Sequence, residues 1–168
     1  IGEGTKSKVL NRIANMGFGP ESFSVYSGAG RLFFGRNRNI TSMTLQDADD
    51  IRAMPGVAIV VPRQRKRMRI INKKEFTTTR IYGVSPEWQP ARQWKIVDGE
   101  FFNYMDMDRR RKVIVLGNTP ARKLFGEMDP LGKKIRVGQV FFEVIGLLEA
   151  KGLTESGYDP DDRALIPL

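Results

Sequence analysis

The stretch from Lys112 to Glu149 limits the possible folds more than any other part of this sequence. Val113, Ile114, Val115 and Leu116 form an unbroken β-branched and aliphatic run closed by Gly117. That is the pattern of a strand buried on both faces. Thr119-Pro120 follows as the expected N-cap and first helical position, where the missing proline N–H costs nothing. The helix over residues 121–125 stops at Gly126, a C-cap glycine. After a turn at Asp129-Pro130-Leu131-Gly132, residues 135–137 and 140–145 alternate as two strands. They are joined by Gly138-Gln139, a two-residue loop of type II′. These local signals agree with one another, which marks a folded core and not a linker.

Upstream, Val9, Leu10, Ile13 and Met16 form one stripe of a helix over Thr5 to Met16, and Ser22 to Tyr26 alternates as a strand. Ser27 to Asn39 reads as a surface loop rich in Gly and Arg, with Leu32-Phe33-Phe34 inside it. Its glycines are not a phosphate loop, because no Gly-Lys-Ser/Thr follows. Thr44-Leu45-Gln46-Asp47 is a capping box in its Asp form, opening a helix to Met54 with Leu45, Ala48, Ile51 and Met54 as its buried stripe. Val57 to Val61 reads as a strand.

The run Arg63-Gln-Arg-Lys-Arg-Met-Arg69 is the most conspicuous charge feature. Its sharp reading is a nucleic-acid patch. However, Arg63, Arg65, Arg67 and Arg69 recur at period two, so a strand puts them on one face and Gln64, Lys66, Met68 and Ile70 on the other. With a turn at Asn72-Lys73-Lys74 and a second strand over Phe76 to Tyr82, the run is expected to be a hairpin with a solvated cationic face. Gly83 to Pro90 is the expected lobe boundary, with Trp88 and Trp94 as packing anchors. Asp98-Gly99 is expected as a turn, Asp106 to Lys112 and Lys151 to Asp162 as surface loops, and Ala164 to Ile166 as a last strand.

The chain contains neither His nor Cys among its 168 residues. That removes disulfides, zinc–thiolate sites, cysteine nucleophiles and His-containing triads. Three sets of carboxylates remain. Asp47, Asp49 and Asp50 suit the helix dipole better than a metal. The acids of Lys151 to Asp162 lack the ligand spacing of a Ca²⁺ loop. Glu100 with Asp106 or Asp108 is the one pair on which a hydrolase could be built. The expectation is no catalytic, cofactor-binding or metal residue, and no cofactor. A net charge of +9 leaves nucleic acid, an acidic membrane surface or an acidic partner as possible counterparts.

Several short motifs occur in order across nearly the whole chain: Leu45-Gln-Asp47, Pro55-Gly-Val57, Gly83-Val-Ser-Pro86, Gly99-Glu-Phe-Phe102, Val113 to Gly117, Leu124-Phe-Gly126, Asp129 to Lys133, Phe142 to Gly146 and Ile166-Pro167. As an ordered set they resemble the extracytoplasmic, periplasmic core domain of MacB-type ABC transporter permeases. The resemblance implies an α+β fold of two lobes. Residues 1–82 would hold a stalk helix and the first half of an α/β (porter-like) lobe. Residues 83–168 would form a β-rich (sabre-like) lobe with one short helix. It further implies a non-catalytic domain of an exporter or lipoprotein-release permease in the bacterial inner membrane. The domain would transmit ATP-driven motion from a cytoplasmic ATP-binding subunit or fused domain. Its partners would be a second permease copy and a periplasmic adaptor or lipoprotein, with no nucleic acid. The start at Ile1-Gly-Glu-Gly would then lie just beyond a first membrane helix.

Overall fold

The computed structural model describes residues 22–25 and 43–168. The chain divides into two compact units, Ile1–Val60 and Val61–Leu168. The expected stalk helix over Thr5 to Met16, and the loop over Ser27 to Asn39, lie outside the described residues.

In the first unit the capping box is present. Helix α1 (Leu45–Arg52) begins at Thr44, whose hydroxyl accepts from the Asp47 N–H while the Asp47 carboxylate accepts from the Thr44 N–H. The helix ends before Met54, and its expected stripe is only half covered. Ala48 is buried and Ile51 half-buried, but Leu45 is 61% and Met54 55% exposed. The expected strands at Ser22 to Tyr26 and Val57 to Val61 do not form in their described parts. An alternating run becomes a strand only when a neighbour takes up its backbone hydrogen bonds.

The second unit is organised by β-strands: β1 (Arg63–Asn72), β2 (Glu75–Val84), β3 (Ile96–Gly99), β4 (Val113–Leu116), β5 (Lys134–Val137), β6 (Val140–Leu148) and β7 (Arg163–Pro167). Their order is β3-β6-β4-β7-β2-β1-β5, and β5 pairs again with β6. The strands β1, β5, β6, β4, β7 and β2 therefore close into a barrel. Strand β6 makes the closure possible by pairing β4 along one edge, and β5 and then β3 along the other. Closure leaves few unpaired strand edges. The hairpin β1–β2 supplies two staves of this barrel, so the boundary between units falls at Val60–Val61, well before the expected Tyr82–Gly83.

Every strand of the ring sends apolar side chains into one interior cluster: Ile70, Ile81, Ala164, Ile114, Leu116, Phe142, Val144, Ile135 and Val137. A second cluster lies on the outer face of β2, β4, β6 and β7, where Tyr82, Val84, Val113, Val115, Leu148 and Leu165 meet Trp88, Trp94 and Phe102. Strand β4 separates the two, so all four of its residues are buried, as its unbroken apolar run predicts. Trp88 and Trp94 are the expected anchors, stacked with centroids 5.8 Å apart.

The unit has three short helices where one was expected: α2 (Trp88–Arg92), α3 (Tyr104–Asp108) and α4 (Asn118–Phe125). Helix α4 lays Ala121, Leu124 and Phe125 on the interior cluster. It starts two residues earlier than the sequence suggests, with Gly117 as N-cap, and Thr119 and Pro120 sit inside its first turn. The reason is the last strand. A Cβ on residue 117 would stand 2.2 Å from the Asp161 carbonyl oxygen, so the chain can turn there only at glycine. The Gly117 N–H donates to the Arg163 carbonyl at 2.9 Å. The β5–β6 loop follows its prediction: Gly138 has φ 61° and Val137 pairs with Val140, as a II′ turn requires.

Candidate functional site

The carboxylates that could have formed a catalytic pair are used separately. Asp106 is buried as the third residue of α3, in a capping box with Asn103 that the sequence reading missed. The signal, Asn103-x-x-Asp106, is the Asx form of the box recognised at Thr44. An Asp106 oxygen also lies 2.7 Å from the Arg111 guanidinium. The expected loop over Asp106 to Lys112 is therefore helical at its start. Glu100 and Asp108 are exposed. In α1, Asp47 caps Thr44, Asp49 pairs with Arg52, and Asp50 accepts from the Gln46 amide. The Thr44 N–H holds the Asp47 carboxyl below the usual carboxylate range.

The three aspartates just before β7 turn inward, each to a different donor. The buried Asp161 carboxylate accepts from the backbone N–H groups of Lys151 (2.8 Å) and Gly152 (2.9 Å). Asp159 accepts from the Thr119 hydroxyl at 2.7 Å, and Asp162 accepts from the Thr79 hydroxyl at 2.6 Å. Arg80 donates to the carbonyls of Asp159 and Asp162 and lies over the Tyr158 ring. Arg163 lies over both Trp94 (4.3 Å) and Tyr82 (5.5 Å), and burial there lowers its pKa. These contacts tie the 151–162 segment to β2, α4 and the outer cluster, so it is a tethered loop and not a free one. Among the described residues no group of three or more Asp, Glu, His or Cys side chains converges as metal ligands.

The remaining chemistry is a surface. On β1, Arg63, Arg65, Arg67 and Arg69 share the outer face and are exposed, whereas Met68 and Ile70 turn toward the interior. The period-two reading therefore holds. Strand β1 is paired with β2 along its whole length but with β5 only at Ile70 and Ile71. Like charges at the free part of an edge oppose pairing with a second copy. Farther along, Arg136 of β5 stands opposite Ile71, and Lys73, Lys133 and Lys134 border a shallow depression beside it. This surface can bind anionic or acidic groups. Sequence reasoning anticipated its β1 half but not the β5 contribution, which comes from residues more than sixty positions away.

The whole chain, residues 1–168, matches the family model for the MacB-like periplasmic core domain. A macrolide export ATP-binding/permease protein MacB from Rhodospirillum rubrum is 40% identical over 172 residues, covering 100% of this chain and 26% of that protein. The pyoverdine export ATP-binding/permease protein PvdT from Pseudomonas entomophila is 31% identical, covering 99% of this chain and 25% of its own length. The chain thus spans about a quarter of these relatives. Among solved structures, the periplasmic region of MacB from Actinobacillus actinomycetemcomitans shares the fold at a TM-score of 0.70 and 21% identity, covering 95% of this chain and 70% of that one. The extracellular domain of the noncanonic ABC-type transporter YknZ from Gram-positive bacteria matches at 0.66 and 25% identity, covering 74% and 62%. The nucleic-acid reading of the arginine run finds no support in these similarities. The motif order, the barrel and the match along the full chain lead to one assignment: this chain belongs to the MacB-like periplasmic core domain family, the extracytoplasmic domain of MacB-type ABC permeases.

Proposed function

We propose that this domain is a rigid, non-catalytic transmission element of an ABC-type export permease, working on the extracytoplasmic side of a bacterial inner membrane. It passes movement driven by ATP hydrolysis in a cytoplasmic ATP-binding domain, fused or separate, to an exported substrate or to partner proteins. It acts as one of a pair, facing a second permease copy, with an adaptor or lipoprotein as further partner. The observation that carries this reading is the family match over all 168 residues, to proteins whose names join ATP-binding and permease parts. The build of the barrel is in keeping with it. A closed ring packed on both faces of β4 moves as a body, which is what a lever needs.

The test is a domain exchange. The matching segment of the Rhodospirillum rubrum relative is replaced by this chain, and export-dependent macrolide resistance is measured beside ATP hydrolysis. Retained resistance is the expected result. A chimera that is inserted and hydrolyses ATP, yet gives no resistance above an empty vector, would remove the transmission reading.

A further inference from the structure

The far end of the β1–β2 hairpin carries a second feature that the transport reading does not use. Register places Phe76 of β2 opposite Ile71 of β1, Ile71 opposite Arg136 of β5, and Arg136 opposite Phe141 of β6. Their strand neighbours Thr77, Ile70, Val137 and Phe142 are buried. Alternation therefore turns all four members of the row outward. The row crosses four strands and is about 14 Å long at the usual strand spacing. Its two aromatic ends are more than half exposed, Phe76 at 57% and Phe141 at 61%. The Arg69 guanidinium lies 3.7 Å from the Phe76 ring centroid, as a cation–π pair.

Ile71, Arg136 and Phe141 line a shallow depression of about 430 Å³, with Lys73, Lys133 and Lys134 around it. The acids in register with this corner are Glu75, opposite Asn72, and Glu143, opposite Lys134. Glu143 also lies 4.0 Å from Arg111. Positive charge is thus in excess around an apolar floor.

We propose that this corner of the barrel docks an acidic, extended segment of another protein, one that carries an apolar side chain between its carboxylates. The apolar side chain enters the depression over Ile71 and Phe141. The flanking carboxylates meet Arg136 and the three lysines, with the Arg136 fork suited to bidentate pairing. Charge decides the occupant: Lys73, Lys133, Lys134 and Arg136 repel the same cationic corner of another copy, and an acidic segment is steered in. Shape decides against a lipid surface. Membrane-binding faces project a broad apolar wedge, whereas this one is concave and a single row wide. The inference stands independently of the transport reading.

The probe is a short fluorescein-labelled peptide alternating Glu and Leu, titrated with the chain and followed by anisotropy. A Glu/Ser peptide of equal length and vesicles containing phosphatidylglycerol serve as parallel arms. Salt-sensitive binding of the Glu/Leu peptide is expected, weakened about tenfold or more by the pair K134E and R136E. F141A should weaken the Glu/Leu peptide but not the Glu/Ser peptide. Lys73→Glu with Lys133→Glu repeats the charge test if the first pair disturbs folding. Binding that ignores both charge reversals would overturn the proposal. So would equal affinity for the two peptides, or vesicle binding without peptide binding.

Discussion

Helices α1 and α4 are both eight residues long, and their stability has opposite sources. Helix α1 has every local advantage: a reciprocal capping box, an acidic residue in its first turn and a basic one in its last. Yet Ala48 is its only buried residue. Helix α4 has no side-chain cap at all, but it buries Pro120, Ala121, Leu124 and Phe125. A cap contributes about 1 kcal/mol, while full burial of one Leu or Phe contributes about 1.5–3 kcal/mol. Packing outweighs capping in α4. The contrast teaches that local signals decide where a helix can start, and tertiary burial decides what it contributes.

The largest effect should come from Phe125→Ala, which empties a site in the interior cluster. A loss of about 3–5 kcal/mol in urea unfolding is expected. A loss below about 1 kcal/mol would break the contrast, because α4 would then be as loosely held as α1. Next comes Asp161→Ala. It removes the buried, charged acceptor of the Lys151 and Gly152 N–H groups, at a cost of about 1–3 kcal/mol. Asp161→Asn, which keeps one acceptor oxygen, should recover part of that loss, and equal losses in the two variants would mean that the tether is unimportant.

A smaller and strictly local effect is expected of Thr44→Ala. It should weaken α1 by about 1 kcal/mol, seen as faster amide exchange in Leu45–Arg52 with the barrel's melting temperature unchanged. A matching drop in barrel stability would show that the effect of the cap is not local to α1.

The smallest effect is on acidification. The Asp47 carboxyl is held below its ordinary value of 3.8, first by the Thr44 N–H and then by the Thr44 hydroxyl. Its contribution is therefore fully present above that ordinary value and disappears as pH falls through the lowered one. Exchange protection in α1 should be flat at neutral pH and decline only in strong acid. In Asp47→Asn this decline should be absent.

What could be read from residues alone follows the same line. The strand β4, the β5–β6 hairpin, the Thr44 cap and the two-faced β1 were all legible, because each depends on neighbours within a few positions. The cap at Asn103 was legible in principle, since its spacing matches the one at Thr44. The true start of α4 was not. Gly117 acts as its N-cap because β7, nearly fifty residues later, brings the Asp161 carbonyl against it. The acids of the 151–162 segment looked like a solvated loop, because the Thr119, Thr79 and Arg80 groups that receive them lie on distant elements.

By itself, the sequence determined the second unit's main elements, the exclusion of His and Cys chemistry, and a motif order specific enough to indicate the family. Period, caps and turns are properties of a few consecutive bonds, so they survive without any knowledge of the fold. Only the tertiary structure decided that β1 and β2 belong to the barrel, that β6 closes it, and that Arg136 joins the cationic face. Those outcomes depend on which distant strands satisfy each other's backbone hydrogen bonds while burying the larger apolar surface, and no local pattern encodes that choice.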